Sequence, residues 1–143
     1  MDRSILPHRN VRNITLLIAL ASVLVLAFAA VAYAATIYGN AGNNNLVGTS
    51  ETDQIIGRDG NDEIRGLAGN DVLRGSPGQD RVFGGSGEDV LTGDKGDDLL
   101  VGDDDKQSDE FYGGQGRDTC VVSAQDHASH NLSGCEVITN NIP

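Results

Sequence analysis

Glycine returns at every ninth residue along the middle of this chain: Gly39, Gly48, Gly57, Gly66, Gly75, Gly84, Gly93 and Gly102. Gly113 follows eleven residues later, so the eighth unit carries two extra residues. With these glycines as position one, three further positions keep step. Position four is Gly42, Gly60, Gly69, Gly78, Gly87, Gly96 and Gly116. Position six is Asn44, then Asp53, Asp62, Asp71, Asp80, Asp89, Asp98, Asp109 and Asp118. Position eight is Leu46, Ile55, Ile64, Leu73, Val82, Leu91, Leu100, Phe111 and Cys120. Such a period marks a stack of like units. Glycines at one and four permit positive φ, so six residues can close a tight turn. Lacking a Cβ, they also let carbonyls face a ligand. The other three residues read x-apolar-x, a minimal strand with its middle side chain buried. Two strands and two turns then make a coil of 18 residues, and coils stack as parallel strands about 4.8 Å apart.

Charge narrows the class of partner. The 143 residues carry a formal charge of −11 and are only 4% aromatic. Carboxylates at this density repel nucleic-acid phosphates and attract cations. The charge is also unevenly placed. Residues 1–34 hold Arg3, Arg9 and Arg12 against Asp2, whereas the remainder holds 7 Lys and Arg against 20 Asp and Glu. The basic residues precede a 22-residue apolar run from Ile14 to Ala35 that contains the small-x-small triplet Ala32-Tyr33-Ala34. This reads as a signal helix cleaved after Ala34. Its length also suits an uncleaved anchor. Either way the acidic body lies outside the cytoplasm.

"GGSGEDVLT" (84–92) and "GGQGRDTCV" (113–121) resemble the RTX nonapeptide G-G-x-G-x-D-x-U-x, where U is apolar. The other units mostly replace the second glycine, with Asn40, Thr49, Arg58, Leu67, Ser76 and Asp94. The resemblance covers about residues 39–121. It implies an all-β fold, a parallel β-roll or two-stranded β-solenoid with 18 residues per coil. The domains expected are a head (1–34), a calcium-binding roll (35–121) and a C-terminal cap (122–143).

In the family, Ca2+ lies between stacked turns, held by turn carbonyls and position-six carboxylates. Oxygen-only, flexible coordination suits Ca2+ better than Mg2+, and the absence of His and Cys from the turns argues against Zn2+. Carried over by position, the ligands are Asp53, Asp62, Asp71, Asp80, Asp89, Asp98, Asp109 and Asp118. The carbonyl-bearing glycines are Gly57, Gly60, Gly66, Gly69, Gly75, Gly78, Gly84, Gly87, Gly93 and Gly96. Neighbouring turns are 18 residues apart, so one side pairs Asp62 with Asp80, Asp80 with Asp98, and Asp98 with Asp118. The other side pairs Asp53 with Asp71, Asp71 with Asp89, and Asp89 with Asp109. Five or six Ca2+ sites follow from this pairing. Asn44, Glu51 at a glycine position, and the insertion Asp103–Ser108 weaken the scheme locally. The competing reading is a metal-free solenoid with Asp and Asn ladders. Stacked carboxylates repel, and a narrow apolar core offsets little ordering entropy. The metal-free body is therefore expected to be largely unfolded and to fold on Ca2+.

Past Val121 the period ends. A solenoid end needs a cap, and outside the cytoplasm a Cys120–Cys135 disulfide is expected, with two free thiols as the alternative. Residues Cys135–Ile138 would then lie over the C-terminal end. His127 and His130 lack a third ligand and read as a solvated loop. No phosphate-binding loop or dinucleotide fingerprint occurs, "DDDKQSDE" lacks the glycine and late Glu of an EF-hand loop, and no enzyme is expected. Val47, Ile56, Phe83, Val101, Tyr112 and Val121 point outward and suggest either strand propensity or an apolar docking strip. The protein is thus read as a secreted calcium module. The alternative is an extracellular adhesion or assembly protein that uses the roll faces. A membrane contact is expected only through an uncleaved head. A lytic or enzymatic member of the wider family fits poorly, because such proteins carry a separate active domain.

Overall fold

The computed structural model describes residues 34–102, 107–123 and 132–139. The expected signal helix, His127, His130 and most of the insertion lie outside the described residues. Within them the chain is a parallel β-solenoid without helix. Twelve strands run in order: β1 (Thr36–Tyr38), β2 (Asn45–Val47), β3 (Gln54–Ile56), β4 (Glu63–Ala68), β5 (Val72–Pro77) and β6 (Arg81–Ser86). They continue with β7 (Val90–Lys95), β8 (Leu99–Val101), β9 (Glu110–Gln115), β10 (Asp118–Val122), β11 (Leu132–Ser133) and β12 (Cys135–Thr139). Odd strands form one six-stranded sheet, β1-β3-β5-β7-β9-β11, and even strands form the other, β12-β10-β8-β6-β4-β2.

The nine-residue period sets the register. Each strand pairs in parallel with the strand two further on, as in Ile64↔Val82 and Leu73↔Leu91. Alternation along each strand then points every position-eight side chain inward. Ile55, Ile64, Leu73, Val82, Leu91, Leu100, Phe111 and Cys120 are all 0% exposed and form one column of core between the sheets. Ile37, Leu46, Leu132 and Cys135 close its two ends, only partly buried. The two extra residues before Asp109 leave the register intact: Leu91 pairs with Phe111, and Asp109 is 2% exposed.

The strands depart from the three-residue expectation. β4, β5, β6, β7 and β9 each have six residues, because pairing continues through positions one to three, as in Leu67↔Gly85 and Ala68↔Ser86. The left-handed residues sit at positions two and four rather than one and four. Position two has positive φ even where it is not glycine: Arg58 (77°), Leu67 (88°), Ser76 (81°) and Asp94 (82°). Position-one glycines serve close approach instead. A Cβ on Gly66 would lie 2.2 Å from Asp71 Oδ2 and 2.5 Å from the Gly84 carbonyl oxygen.

Two expectations about surfaces resolve differently. The outward apolar residues do not share one strip. Val47, Phe83, Val101 and Val121 lie on the even sheet, Ile56 and Tyr112 on the odd one. On the even sheet the strip is also interrupted, because Arg65 takes the rung between Val47 and Phe83 and lies over the Phe83 ring. At the C-terminal end Cys120 and Cys135 form a disulfide with Cα atoms 5.6 Å apart. Residues Cys135–Thr139 cover that end as a last rung in parallel register with β10.

Candidate metal centre

Position six closes each turn just before a strand, so the stacking of strands stacks these side chains as well. The eight aspartates from Asp53 to Asp118 are 1–3% exposed. Each uses one carboxylate oxygen in the same way. Asp53 N–H donates to Asp71 Oδ1 (2.8 Å), Asp62 N–H to Asp80 Oδ1 (2.8 Å) and Asp71 N–H to Asp89 Oδ1 (2.8 Å). Asp80 N–H donates to Asp98 Oδ1 (2.8 Å), Asp89 N–H to Asp109 Oδ1 (2.9 Å) and Asp98 N–H to Asp118 Oδ1 (3.0 Å). All six neighbour pairs expected from the period are therefore in contact, including Asp89 with Asp109.

The other carboxylate oxygen is different. Oδ2 of Asp62, Asp71, Asp80, Asp98 and Asp118 is buried without a hydrogen-bond partner. A buried charged oxygen with no donor is costly unless a cation meets it. These oxygens face position-one glycines. A Cβ on Gly57 would fall 2.2 Å from Asp62 Oδ2 and 2.7 Å from the Gly75 carbonyl oxygen, and one on Gly93 2.3 Å from Asp98 Oδ2 and 2.6 Å from the Gly113 carbonyl oxygen. Carboxylate and carbonyl oxygens from adjacent turns thus converge where a side chain would otherwise fit. Position-four glycines repeat the theme. A Cβ on Gly78, Gly87 or Gly96 would lie within 2.0 Å of the carbonyl oxygen of Gly60, Gly69 or Gly78. Among the described residues no three His, Cys, Asp or Glu side chains gather as a metal site, so a cation here depends on backbone carbonyls. An all-oxygen set of this kind suits Ca2+.

The family model of the RTX calcium-binding nonapeptide repeat, built of four copies, matches residues 38–73, 74–106 and 83–120. These matches span more than half of the chain. The chain belongs to the RTX calcium-binding nonapeptide repeat family. No curated protein matches the chain as a relative. RTX repeats bind Ca2+, and the family's role is structural rather than catalytic.

Metal-free electrostatics within the RTX turns follow from this geometry. Burial pushes Asp80 up to about 7, against the hydrogen bond from Asp62 N–H, with Asp98, Asp62 and Asp94 adding repulsion. Burial pushes Asp98 up to about 6 in the same way, against the bond from Asp80 N–H and with Asp118, Asp94 and Asp97 as charged neighbours. Asp71 is raised by burial and by the Asp53 charge, and the Asp53 N–H bond opposes this. Asp53 alone moves down. Burial raises it, but bonds from Ala35 N–H, Thr49 N–H and the Thr49 hydroxyl outweigh burial.

The first turns are built differently from the rest. Asn44 accepts Asn40 N–H on Oδ1 (2.7 Å) and donates from Nδ2 to the Gly42 carbonyl (2.6 Å). Asp53 takes Ala35 N–H (2.6 Å) and the Thr49 hydroxyl (3.2 Å) on Oδ1, and Thr49 N–H (2.5 Å) on Oδ2. Protein donors therefore reach both of its oxygens. Sequence reasoning also missed a second ladder, at position five. Asn61 N–H donates to Asn43 Oδ1 (2.9 Å), Gln79 N–H to Asn61 Oδ1 (3.0 Å), Glu88 N–H to Asn70 Oδ1 (3.2 Å) and Arg117 N–H to Asp97 Oδ1 (2.9 Å). It runs opposite to the aspartate ladder, because here the later turn donates. The recurring amide or carboxylate just before position six was its signal in the sequence.

Proposed function

We propose that this chain is an exported, non-catalytic calcium-binding β-roll whose body folds as Ca2+ enters the spaces between stacked turns. The observation that carries this reading is the row of buried carboxylates, each with Oδ1 engaged, among which Asp62, Asp71, Asp80, Asp98 and Asp118 keep Oδ2 without a donor. Asp62, Asp71, Asp80, Asp89, Asp98, Asp109 and Asp118 would hold the ions, with carbonyls contributed at the position-one and position-four glycines. Five or six ions fit the neighbour pairs. Asp53 is the weakest ligand of the set, since protein donors already occupy it. A bound Ca2+ supplies positive charge where two turns face each other, which offsets the repulsion along each column.

Residues 1–34 act as the exporting head, 35–121 as the roll and 122–143 as its cap. The basic, then apolar, head supports export, and RTX repeat proteins are typically secreted. An extracellular site also supplies both Ca2+ and the oxidising conditions for Cys120–Cys135. The test is far-ultraviolet circular dichroism of the metal-stripped protein during Ca2+ titration, with bound Ca2+ counted at saturation. Strand signal should rise cooperatively and about five or six ions should bind. A full strand signal in excess chelator would overturn the reading.

A further inference from the structure

We propose that the Ala34–Ala35 peptide bond is a processing site, and that its hydrolysis turns the Ala35 nitrogen into an ammonium paired with Asp53 at the leading edge of the roll. The proposal rests on export as read above and adds to it a defined terminus and a bond that the terminus makes. Two independent features meet at this peptide bond. The first lies in the sequence: Ala32-Tyr33-Ala34 puts small side chains at the first and third residues before the bond, at the end of an apolar run. The second is structural. Ala35 stands 18 residues before Asp53 and fills the place of position six in the aspartate ladder, donating its N–H to Asp53 Oδ1 at 2.6 Å. Its carbonyl accepts Gln54 N–H at 2.8 Å, and Thr36 then begins strand pairing with Gln54. Ala35 is thus held through both backbone groups, whereas Ala34, one residue upstream, is exposed. The cut falls just before the first residue that keeps ladder register.

The chemistry is an ordinary hydrolysis by a membrane-bound signal peptidase. Water adds across the C–N bond, Ala34 leaves on the head as a carboxylate, and Ala35 keeps its nitrogen. An α-amino group with an ordinary pKa of about 7.7–8.0 carries a proton at neutral pH. The neutral N–H donor to Asp53 becomes a cationic one, and charge-assisted bonds are roughly twice as strong as neutral ones. Asp53 is 2% exposed, so solvent screens the pair little. Inner turns meet their carboxylates with a shared cation. This turn would carry its own, supplied by the chain's new end.

The test uses the full chain expressed in a bacterial host competent for signal-peptide export, grown with Ca2+. N-terminal sequencing of the extracytoplasmic protein should begin at Ala35. Exported protein with an intact head, or with a different first residue, overturns this proposal and leaves export standing. Protein retained in the cytoplasm overturns both. Ala34→Arg, which blocks the cut, provides the uncut comparison, and Asp53→Asn is introduced into each form. In Ca2+ and mild detergent, Asp53→Asn should lower the melting temperature of the processed protein by about 4–8 °C more than that of the uncut protein. An equal drop in both forms overturns the ammonium pair.

Discussion

The leading coil and the inner coils use one nonapeptide in two ways. In the leading coil, β1, β2 and β3 have three residues each, and side chains shape the turns. Asn40 Oδ1 accepts Gly42 N–H (2.8 Å) and Thr49 Oγ1 accepts Glu51 N–H (3.1 Å), which are side-chain mimics of a backbone turn. Asn44 and Asp53 are satisfied by protein donors. In the inner coils, strands reach six residues and the backbone itself makes the turn, left-handed at positions two and four. There Asp62, Asp71, Asp80 and Asp98 keep an oxygen without a donor. The difference is one of autonomy. A leading turn completes its hydrogen bonds from within, and an inner turn is left one positive charge short. Calcium dependence should therefore belong to the inner coils, and substitutions at equivalent positions should behave unequally.

Position four should give the largest contrast. A Cβ on Gly96 would lie 1.5 Å from the Gly78 carbonyl oxygen, at φ +131°. On Gly42 it would meet only Asn40 Oδ1, at 3.3 Å, the end of a side chain. Gly96→Ala combines a backbone clash with a left-handed residue, which costs about 1–2 kcal/mol from its conformation alone. Loss of the cooperative calcium-induced strand signal is expected. Gly42→Ala should stay within about 0.5 kcal/mol of the parent in denaturant melts. Equal damage at both sites would erase the distinction between the coils.

Position six comes next. Asp80→Asn should reduce bound Ca2+ by about one ion and raise the Ca2+ midpoint on the order of tenfold, since charge count tunes such sites. Asn44→Asp runs the other way. It removes the Nδ2 donor and sets a carboxylate against the Gly42 carbonyl, which costs about 1–3 kcal/mol. Calorimetric titration should show the leading turn becoming more dependent on Ca2+, and an unchanged calcium-free melt would contradict the self-closed turn.

Much of this was legible because a strict period carries its own geometry. Nine residues fixed as turn plus x-apolar-x are enough to place Leu73 beside Leu91 and Asp80 beside Asp98, whatever the remaining residues are. What stayed hidden depends on the neighbouring turn rather than on the repeat. Strand length follows from pairing across coils at positions one to three. Arg58 and Leu67 were visible only as departures from glycine, yet the stack holds them left-handed all the same. The Asn43–Asn61–Gln79 ladder needs two turns in contact before either side chain has a purpose. Asn44 looked like a lost charge, and its donor role appears only once the Gly42 carbonyl is seen beside it.

Acid should act on the two regions in opposite senses. Asp80 and Asp98 titrate at about 7 and about 6 in the folded, metal-free chain, against 3.8 ordinarily. Groups raised in this way favour the fold when protonated. Their contribution is fully present below about pH 4 and is lost as pH climbs through 6 to 7. Asp53 is lowered, so its contribution is present above 3.8 and lost only as pH falls through its depressed value. Metal-stripped protein taken from about pH 8 to about pH 5 should therefore gain strand signal, while the Ca2+ midpoint rises because protons compete with the ion. Loss of strand signal over that interval would mean that repulsion within the inner columns is not what limits the calcium-free fold.

Position two offers the smallest effect and the most specific one, because its sign should change between coils. Leu67 is left-handed at φ 88° and 49% exposed, so its side chain gains little from burial while its backbone is strained. Leu67→Gly removes a penalty of about 1–2 kcal/mol and adds about 0.5–1 kcal/mol of chain entropy cost. A net gain of about 0.5 kcal/mol in Ca2+ is expected. Asn40 holds the same place in the leading coil without positive φ, and its Oδ1 carries the Gly42 N–H bond. Asn40→Gly discards that bond and adds the same entropy, for a net loss of about 1 kcal/mol. Chemical denaturation of the two variants in saturating Ca2+ measures both shifts. If both substitutions to the family's consensus glycine stabilised the chain, side-chain closure of the leading turns would be incidental, and the two regions would differ only in position along the stack.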